Sequence, residues 1–322
     1  MASKNNQNKS NPKINNQNDI DNYIEYLISD AEKEIEILFA NRLKVIKQEI
    51  ADMYEKYQTD DPHVTWTEFN KYNRLNKELT RIGEMLTEDY REVTKTIRQA
   101  QQNAYIEKFL MSLYLYEMAS QTSMQFDVPT ASVINNAIEQ PIEFIKLAPT
   151  LQKHRDEVLK KIRIHITQGI MSGEGYSKIA KALRDDIGMT KAQSQRVART
   201  EAGRAMSQAG LDSAKVAKVN GLTGMKKRWL ATKDNRTRDT HRHLDGKAIE
   251  IDDNFHSSGC IGQAPKLFVG VASAKENINC RCKLLYYFDE DELPTVMRTK
   301  DDGVIPFVTY REWEKQKRKG SS

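Results

Sequence analysis

The chain has 322 residues, of which 39% are hydrophobic and 30% charged, enough apolar content to bury a sizeable core and a length that suggests two domains. No run approaches the roughly 18 apolar residues of a membrane span, and the first residues lack the apolar stretch of a secretory signal, so folding in a cytoplasm is expected. The formal charge of +5 is unevenly placed: residues 151–228 hold 17 Lys or Arg against 7 Asp or Glu, a local excess that suits contact with a phosphate backbone.

Residues 1–20 are nearly all Asn, Gln, Lys, Ser and Pro, a composition that cannot bury enough apolar surface to offset the entropy of ordering, and are expected to form a disordered polar arm. From Asp21, apolar residues from Ile24 through Ile28, Ala31, Ile35, Leu38, Val45, Ile46, Ile50, Met53 and Tyr57 recur at helical spacing. Asp60-Asp61-Pro62 interrupts this helix, and Thr65-Trp66-Thr67-Glu68 has the form of a capping box that opens a second long helical stretch reaching Met124. Residues 21–128 are therefore read as a long-helix region.

Pro129, Pro141 and Pro149 mark a linker over residues 129–150, with short helices around Ser132–Glu139 and Ile142–Leu147. Leu151, Val158, Ile162, Ile166 and Ile170 then predict a helix closed by Gly173-Glu174-Gly175, and a short one follows from Ser177 to near Gly188. Thr190 is a plausible N-cap for an alanine-rich helix over 191–219, which Asn220-Gly221 would terminate. Short β-prone runs at 227–232, 247–251 and 283–288 suggest a small mixed module. The fold class expected is mainly α with long amphipathic N-terminal helices and a small α+β C-terminal module, followed by a tail over 289–322 that ends in a basic stretch, Arg311 to Lys319.

The chemistry-bearing residues crowd between Arg196 and Cys282. Arg199, Thr200, Glu201 and Arg204 lie on a helix whose other positions are small, and an intrahelical ion-pair network fixing that helix against the β module is the expected role. Half of the six histidines (His241, His243 and His256) and all three cysteines (Cys260, Cys280 and Cys282) fall within about forty residues. A set of His241, Cys260, Cys280 and Cys282 could converge as zinc ligands, but Cys-x-Cys and His-x-His are not the knuckle spacing of strong zinc motifs. The alternatives are that Cys280 is a buried small hydrophobe with His241 a hydrogen-bonding clamp, or that His241 serves a nuclease. No phosphate-binding glycine loop, nucleophile elbow or HExxH is present.

The order of these blocks resembles the Mu F-like phage head morphogenesis proteins. The resemblance rests on Arg199, Thr200, Glu201 and Arg204, then Trp229, then Asp234 with Arg236, then His241, Leu244, Asp245 and Gly246, and finally Cys280, Arg281 and Cys282. It covers roughly 160 to 290, which makes residues 151–288 the head morphogenesis domain. Some relatives carry Cys-x-x-Cys where this chain has Arg238 and His241, and a histidine at the place of Asn277. Arg238 and Asn277 are not zinc ligands, so Cys260 or His256 would have to complete a set.

The resemblance implies a minor head protein of a tailed phage rather than an enzyme, associated in the virion with the portal vertex and with capsid or scaffold proteins, with no membrane partner and no required cofactor. Double-stranded DNA would meet Lys160, Lys161, Arg163, Lys178, Lys181, Arg184, Lys226, Lys227 and Arg228, with Arg311 to Lys319 as a further basic stretch. A metal-dependent nuclease or a transferase is the rival reading. Some family members are fused to toxin domains, but the roughly thirty residues after Phe288 are too few for one.

Overall fold

A computed structural model of the chain describes residues 12–57, 74–139, 147–172, 176–287, 296–299, 303–306 and 310–320. The expected break at Asp60-Asp61-Pro62, the capping box at Thr65, the short helix at Ile142 and the Gly173–Gly175 helix stop lie outside these residues. In chain order the helices are α1 (Gln17–Tyr57), α2 (Arg74–Ser120), α3 (Ala131–Glu139), α4 (Leu147–Met171) and α5 (Tyr176–Val219). Then come β1 (Lys226–Leu230), α6 (Asp239–Arg242), β2 (Ala248–Glu250), β3 (Phe255–Ser257), β4 (Cys260–Gly262), α7 (Ser273–Asn277), β5 (Lys283–Tyr287), β6 (Val296–Thr299), β7 (Gly303–Pro306) and α8 (Tyr310–Gly320). The expected class, mainly α with a small α+β module, is what forms. Among the described residues no helix is long and apolar enough to cross a membrane.

The chain divides into two compact units that do not follow its order: residues 1–29, 99–144 and 199–322 form one, and residues 30–98 and 145–198 the other. Neither coincides with the sequential segments 21–128 and 151–288, because α1, α2 and α5 each contribute residues to both units.

The all-helical unit has a single core built from four helical segments. Ile35, Phe39, Ile46 and Ile50 of α1 meet Leu79, Ile82, Leu86, Tyr90, Val93 and Ile97 of α2, whose three- and four-residue steps keep one face apolar. Leu151, Val158, Ile162 and Ile166 of α4 and Ile179, Leu183, Ile187 and Ala198 of α5 complete it. Arg42 clamps Asp89 through two nitrogens at 2.6 and 3.0 Å, tying α1 to α2. Val45, expected on the apolar face, is exposed instead.

Three helix boundaries differ from expectation. The arm expected to be disordered through residue 20 is helical from Gln17, because Ile14 and Ile20 are buried. Pro149 sits inside the first turn of α4, where its missing N–H costs no intrahelical bond. Gly188 and Thr190 lie within α5 rather than at a break. A mid-helix glycine costs about 1 kcal/mol against alanine. The buried face runs through that point, from Ile187 to Ser194, Ala198, Ala202, Ala205 and Ala209, and holds the helix together. The helix ends as expected: Gly221 takes φ +95° and the Leu222 N–H donates back to the Ala217 carbonyl at 3.1 Å.

The mixed unit carries an antiparallel three-stranded sheet in the order β2-β1-β5, with Trp229 opposite Leu284 and Lys227 opposite Tyr286 and Ile249. The β3-β4 hairpin, unforeseen from the sequence, turns through Ser258 and Gly259, both at positive φ as a two-residue hairpin turn requires.

The C-terminal segment expected as a tail folds back. Tyr310 and Trp313 of α8 are buried, Trp313 stacks on Phe126 with ring centres 5.9 Å apart, and its indole N–H donates to Glu117 of α2. Lys317 pairs with Glu117 at 2.6 Å, and Arg311 and Arg318 pair with Glu314, so most of the basic stretch is spent on internal ion pairs. Replacing Trp313 with Ala is expected to lower the unfolding free energy by about 3–5 kcal/mol in urea denaturation. A loss below about 1 kcal/mol would mean that α8 is not docked.

Candidate functional site

The motif residues converge in the mixed unit around Trp229, which β1 presents to the interior and which is 0% exposed. His241 of α6 packs against the Trp229 ring edge-on with centroids 5.3 Å apart, and Phe255 and Phe268 close the remaining sides at 5.1 and 5.8 Å from Trp229. The ring of His241 therefore lies in a desolvated aromatic box, where each polar atom needs a partner.

Both ring nitrogens are provided for. Nε2 lies 2.8 Å from Oε2 of Glu276, and the same oxygen accepts from Ser257 at 2.9 Å and from Thr240 at 3.2 Å. Nδ1 faces the sulfurs of Cys282 and Cys280 at 3.5 and 3.6 Å. Glu276 lies on α7 and is wholly buried. Nothing in the sequence marks it, since a Lys-Glu pair in a short polar run reads as surface.

Burial works against the Glu276 carboxylate, yet the hydrogen bond from Ser257, together with His241, holds its pKa below the ordinary value. Within the thiol pair, the hydrogen-bonding contact between Cys282 and Cys280 favours ionisation of Cys280 and pushes Cys282 up, and burial adds to the rise at Cys282.

The other motif residues are fasteners. Asp234 accepts from both terminal guanidinium nitrogens of Arg281, from Nη2 at 2.8 Å and more closely from Nη1, and also from the Arg236 N–H and the Thr237 hydroxyl. That bond from Arg281, above all, holds the Asp234 carboxyl far below the usual range. The Arg236 side chain is itself largely exposed. Leu244 is buried, the Asp245 carboxylate accepts from the Ala231 N–H at 2.9 Å, and Gly246 takes φ +77° so that its N–H reaches the Trp229 carbonyl at 2.8 Å.

On α5 the outcome differs from expectation. Glu201 and Arg204 form a buried pair at 3.1 Å, but Glu201 also accepts from Gln101 of α2 and Arg204 donates to the Ile138 carbonyl of α3. The pair thus fastens α5 to neighbouring helices rather than to the β module. Arg199 pairs with Glu25 of α1, and the contact to the module comes from Thr200, whose hydroxyl accepts from the Asn279 N–H at 3.3 Å.

The candidate metal set is corrected as well. His241, Cys280 and Cys282 bring their donor atoms within 4.8 Å of one another, but Cys260 is not part of the group, and His256 points outward from its strand. The positions that departed from the family's ligand pattern are engaged elsewhere: Arg238 donates to the Ile278 carbonyl, and the Asn277 amide grips both backbone polar groups of Phe268. In spacing the three donors fit zinc, since a tetrahedral ion holds its nitrogen and sulfur ligands about 3.6 Å apart. Among the described residues no fourth ligand joins them.

Of the residues expected to meet DNA, Lys160, Arg163, Lys178, Lys181 and Arg184 are exposed on α4 and α5, while Lys161 lies 3.5 Å from Asp186 and Arg184 3.3 Å from Asp185. Lys226 lies in the other unit and faces Glu250, and Arg228 stacks on the Tyr287 ring at 4.8 Å. Lys227 is not available to DNA: it is fully buried, donates to the Ile251 and Asp253 carbonyls, and burial pushes its pKa down to about 8.

Cys280→Ser is expected to destabilise the mixed unit by about 1–3 kcal/mol in thermal or urea melts, since a hydroxyl replaces a sulfur in a dry, closely packed box. Because the Glu276 pKa is depressed by folding, its contribution is complete above the unfolded value of about 4.3 and is lost as pH falls further. The stability gap between the wild type and Glu276→Gln should accordingly shrink in melts taken from pH 6 down to about pH 3.

The family described as Phage Mu protein F like protein matches residues 160–285, the stretch holding this cluster. Over 314 residues, 95% of this chain and 99% of the relative, the sequence is 39% identical to the minor head protein GP7 of Bacillus phage SPP1. It is also 29% identical, over 84% of its length, to the NAD(+)--arginine ADP-ribosyltransferase EFV of Enterococcus faecalis (strain ATCC 700802 / V583), of which the match takes in 55%. No solved structure matches the chain. With its motif blocks in place and its similarity to a phage head protein running nearly end to end, the chain belongs to the Mu F-like family of phage head proteins.

Proposed function

We propose that this chain is a minor head protein that acts in head assembly at or near the portal, and that it works by docking rather than by catalysis. The observation that carries the reading is the alignment with the SPP1 minor head protein across nearly the full length of both chains. The site supports it from the side of chemistry: His241, Glu276, Cys280 and Cys282 are at most 3% exposed, and His241 contacts each of the other three, an arrangement suited to holding a fold. The transferase relative extends well beyond the matched region, which takes in 55% of it.

DNA contact is the finer part of the proposal. Lys160, Arg163, Lys178, Lys181 and Arg184 lie exposed on α4 and α5 and would neutralise backbone phosphates without reading sequence. Copurification of the tagged protein with portal and scaffold proteins, with DNA retention measured across salt concentrations, tests both parts. A stable portal complex, with DNA binding that falls steeply as salt rises and weakens uniformly across sequences in Lys178→Gln/Lys181→Gln, is expected. A protein that binds neither portal nor DNA and modifies arginine or cuts nucleic acid would overturn it.

A second reading of the cluster is favoured by one observation, the 3.5 and 3.6 Å spacing of His241 Nδ1 from the two sulfurs. On that reading the module holds a structural zinc ion through His241, Cys280 and Cys282, with Glu276 fixing the ring. Metal analysis of the purified protein would show one zinc per chain, lost in Cys282→Ser.

A further inference from the structure

Beside the buried cluster, and separate from the assembly reading, the mixed unit contains a cavity of about 200 Å³. Its wall carries Arg199, Lys266, Arg281 and Lys283, against a single carboxylate, Glu25. Three of these cations have carboxylate neighbours: Glu25 holds Arg199, Asp234 holds Arg281, and Asp21 lies 3.7 Å from Lys283. Asp21 is already bound at 2.9 Å by the buried Lys108, so the two lysines share one charge. Lys266 is only 7% exposed and forms neither an ion pair nor a hydrogen bond with another described residue.

The chain incurs two separate costs to place this side chain there. Its backbone takes φ +66°, a conformation that non-glycine residues seldom adopt. Its side chain crosses α5 over Gly203, where an added Cβ would lie 2.6 Å from the lysine Cε and 3.0 Å from Nζ. A glycine within a helix is itself unfavourable. Local strain and a helical glycine thus both accommodate the Lys266 stem, and its charge lies at the cavity wall beside the thiols of Cys280 and Cys282.

We propose that the cavity binds a phosphate monoester or inorganic phosphate, held chiefly by the Lys266 ammonium with Lys283 and the two arginines supplying the surrounding positive field. An ammonium offers three donors and a phosphate oxygen is a strong acceptor, so the anion supplies the partner that the protein withholds. The volume suits one phosphate group with a small ester substituent and excludes a duplex.

Calorimetric titration at fixed ionic strength tests this with inorganic phosphate, deoxyadenosine 5′-monophosphate and deoxyadenosine. Saturable binding of one phosphate-bearing ligand per chain is expected, with none for the nucleoside. Tighter binding of the nucleotide identifies the ester as the ligand, and equal or tighter binding of inorganic phosphate identifies the free anion. Lys266→Met, which keeps the stem and removes the charge, should weaken binding by at least about tenfold. It should also melt no lower than the wild type without phosphate, because Lys266 forms no hydrogen bond or ion pair with another described residue. Gly203→Ala, which displaces the ammonium, should weaken binding as well. No saturable binding by the wild type, or equal binding by Lys266→Met, overturns the proposal. So does a variant that melts well below the wild type while phosphate leaves the wild type unchanged, since Lys266 would then be a counter-charge to the neighbouring cysteines.

Discussion

The mixed unit depends on one buried carboxylate. Glu276 enters a region with almost no solvent, and its charge is tolerable because Ser257, Thr240 and His241 all present donors to the same oxygen. Those three donors come from β3 and α6, segments with no direct pairing between them. His241 carries the constraint further, since fixing Nε2 on Glu276 turns Nδ1 toward the cysteine pair that precedes β5. A module with only short strands and two very short helices is thereby crosslinked without a disulfide, and Trp229 supplies the apolar mass around which the links close.

How far the sequence disclosed this varies with the kind of signal. Long helices were legible because apolar residues repeated at three and four, and the strands at 226–230, 248–250 and 283–287 because short β-prone runs stood between turns. The interruption expected near Gly188 failed because a local glycine signal was outweighed by a buried face continuing on both sides. The C-terminal helix was missed because its charge dominates its composition, while two aromatic residues three apart, Tyr310 and Trp313, do the docking.

At the site, the motif residues were recognisable by order and spacing, and His241, Cys280 and Cys282 do meet. Glu276 and Lys266 were invisible, since a charged residue in a polar run looks exposed whatever its partner, and only the fold shows that it is enclosed. Cys260 and His256 were in reach by sequence distance but not in space: one is buried away from the group, and strand alternation turns the other outward. The division into units was likewise illegible, because helices that serve two units carry no mark where one ends.

For a head protein this construction has a functional sense. The motif blocks maintain a closed module, while Lys160, Arg163, Lys178, Lys181 and Arg184 lie exposed on α4 and α5. Whether the His241–Glu276 link holds the fold is decided by a double-mutant cycle in which His241→Ala, Glu276→Ala and the double variant are unfolded in urea. The two changes are expected to be strongly non-additive, with a coupling of at least about 1 kcal/mol, because each alone strands the other's buried polar atoms. Additive losses, or single variants as stable as the wild type, would contradict it.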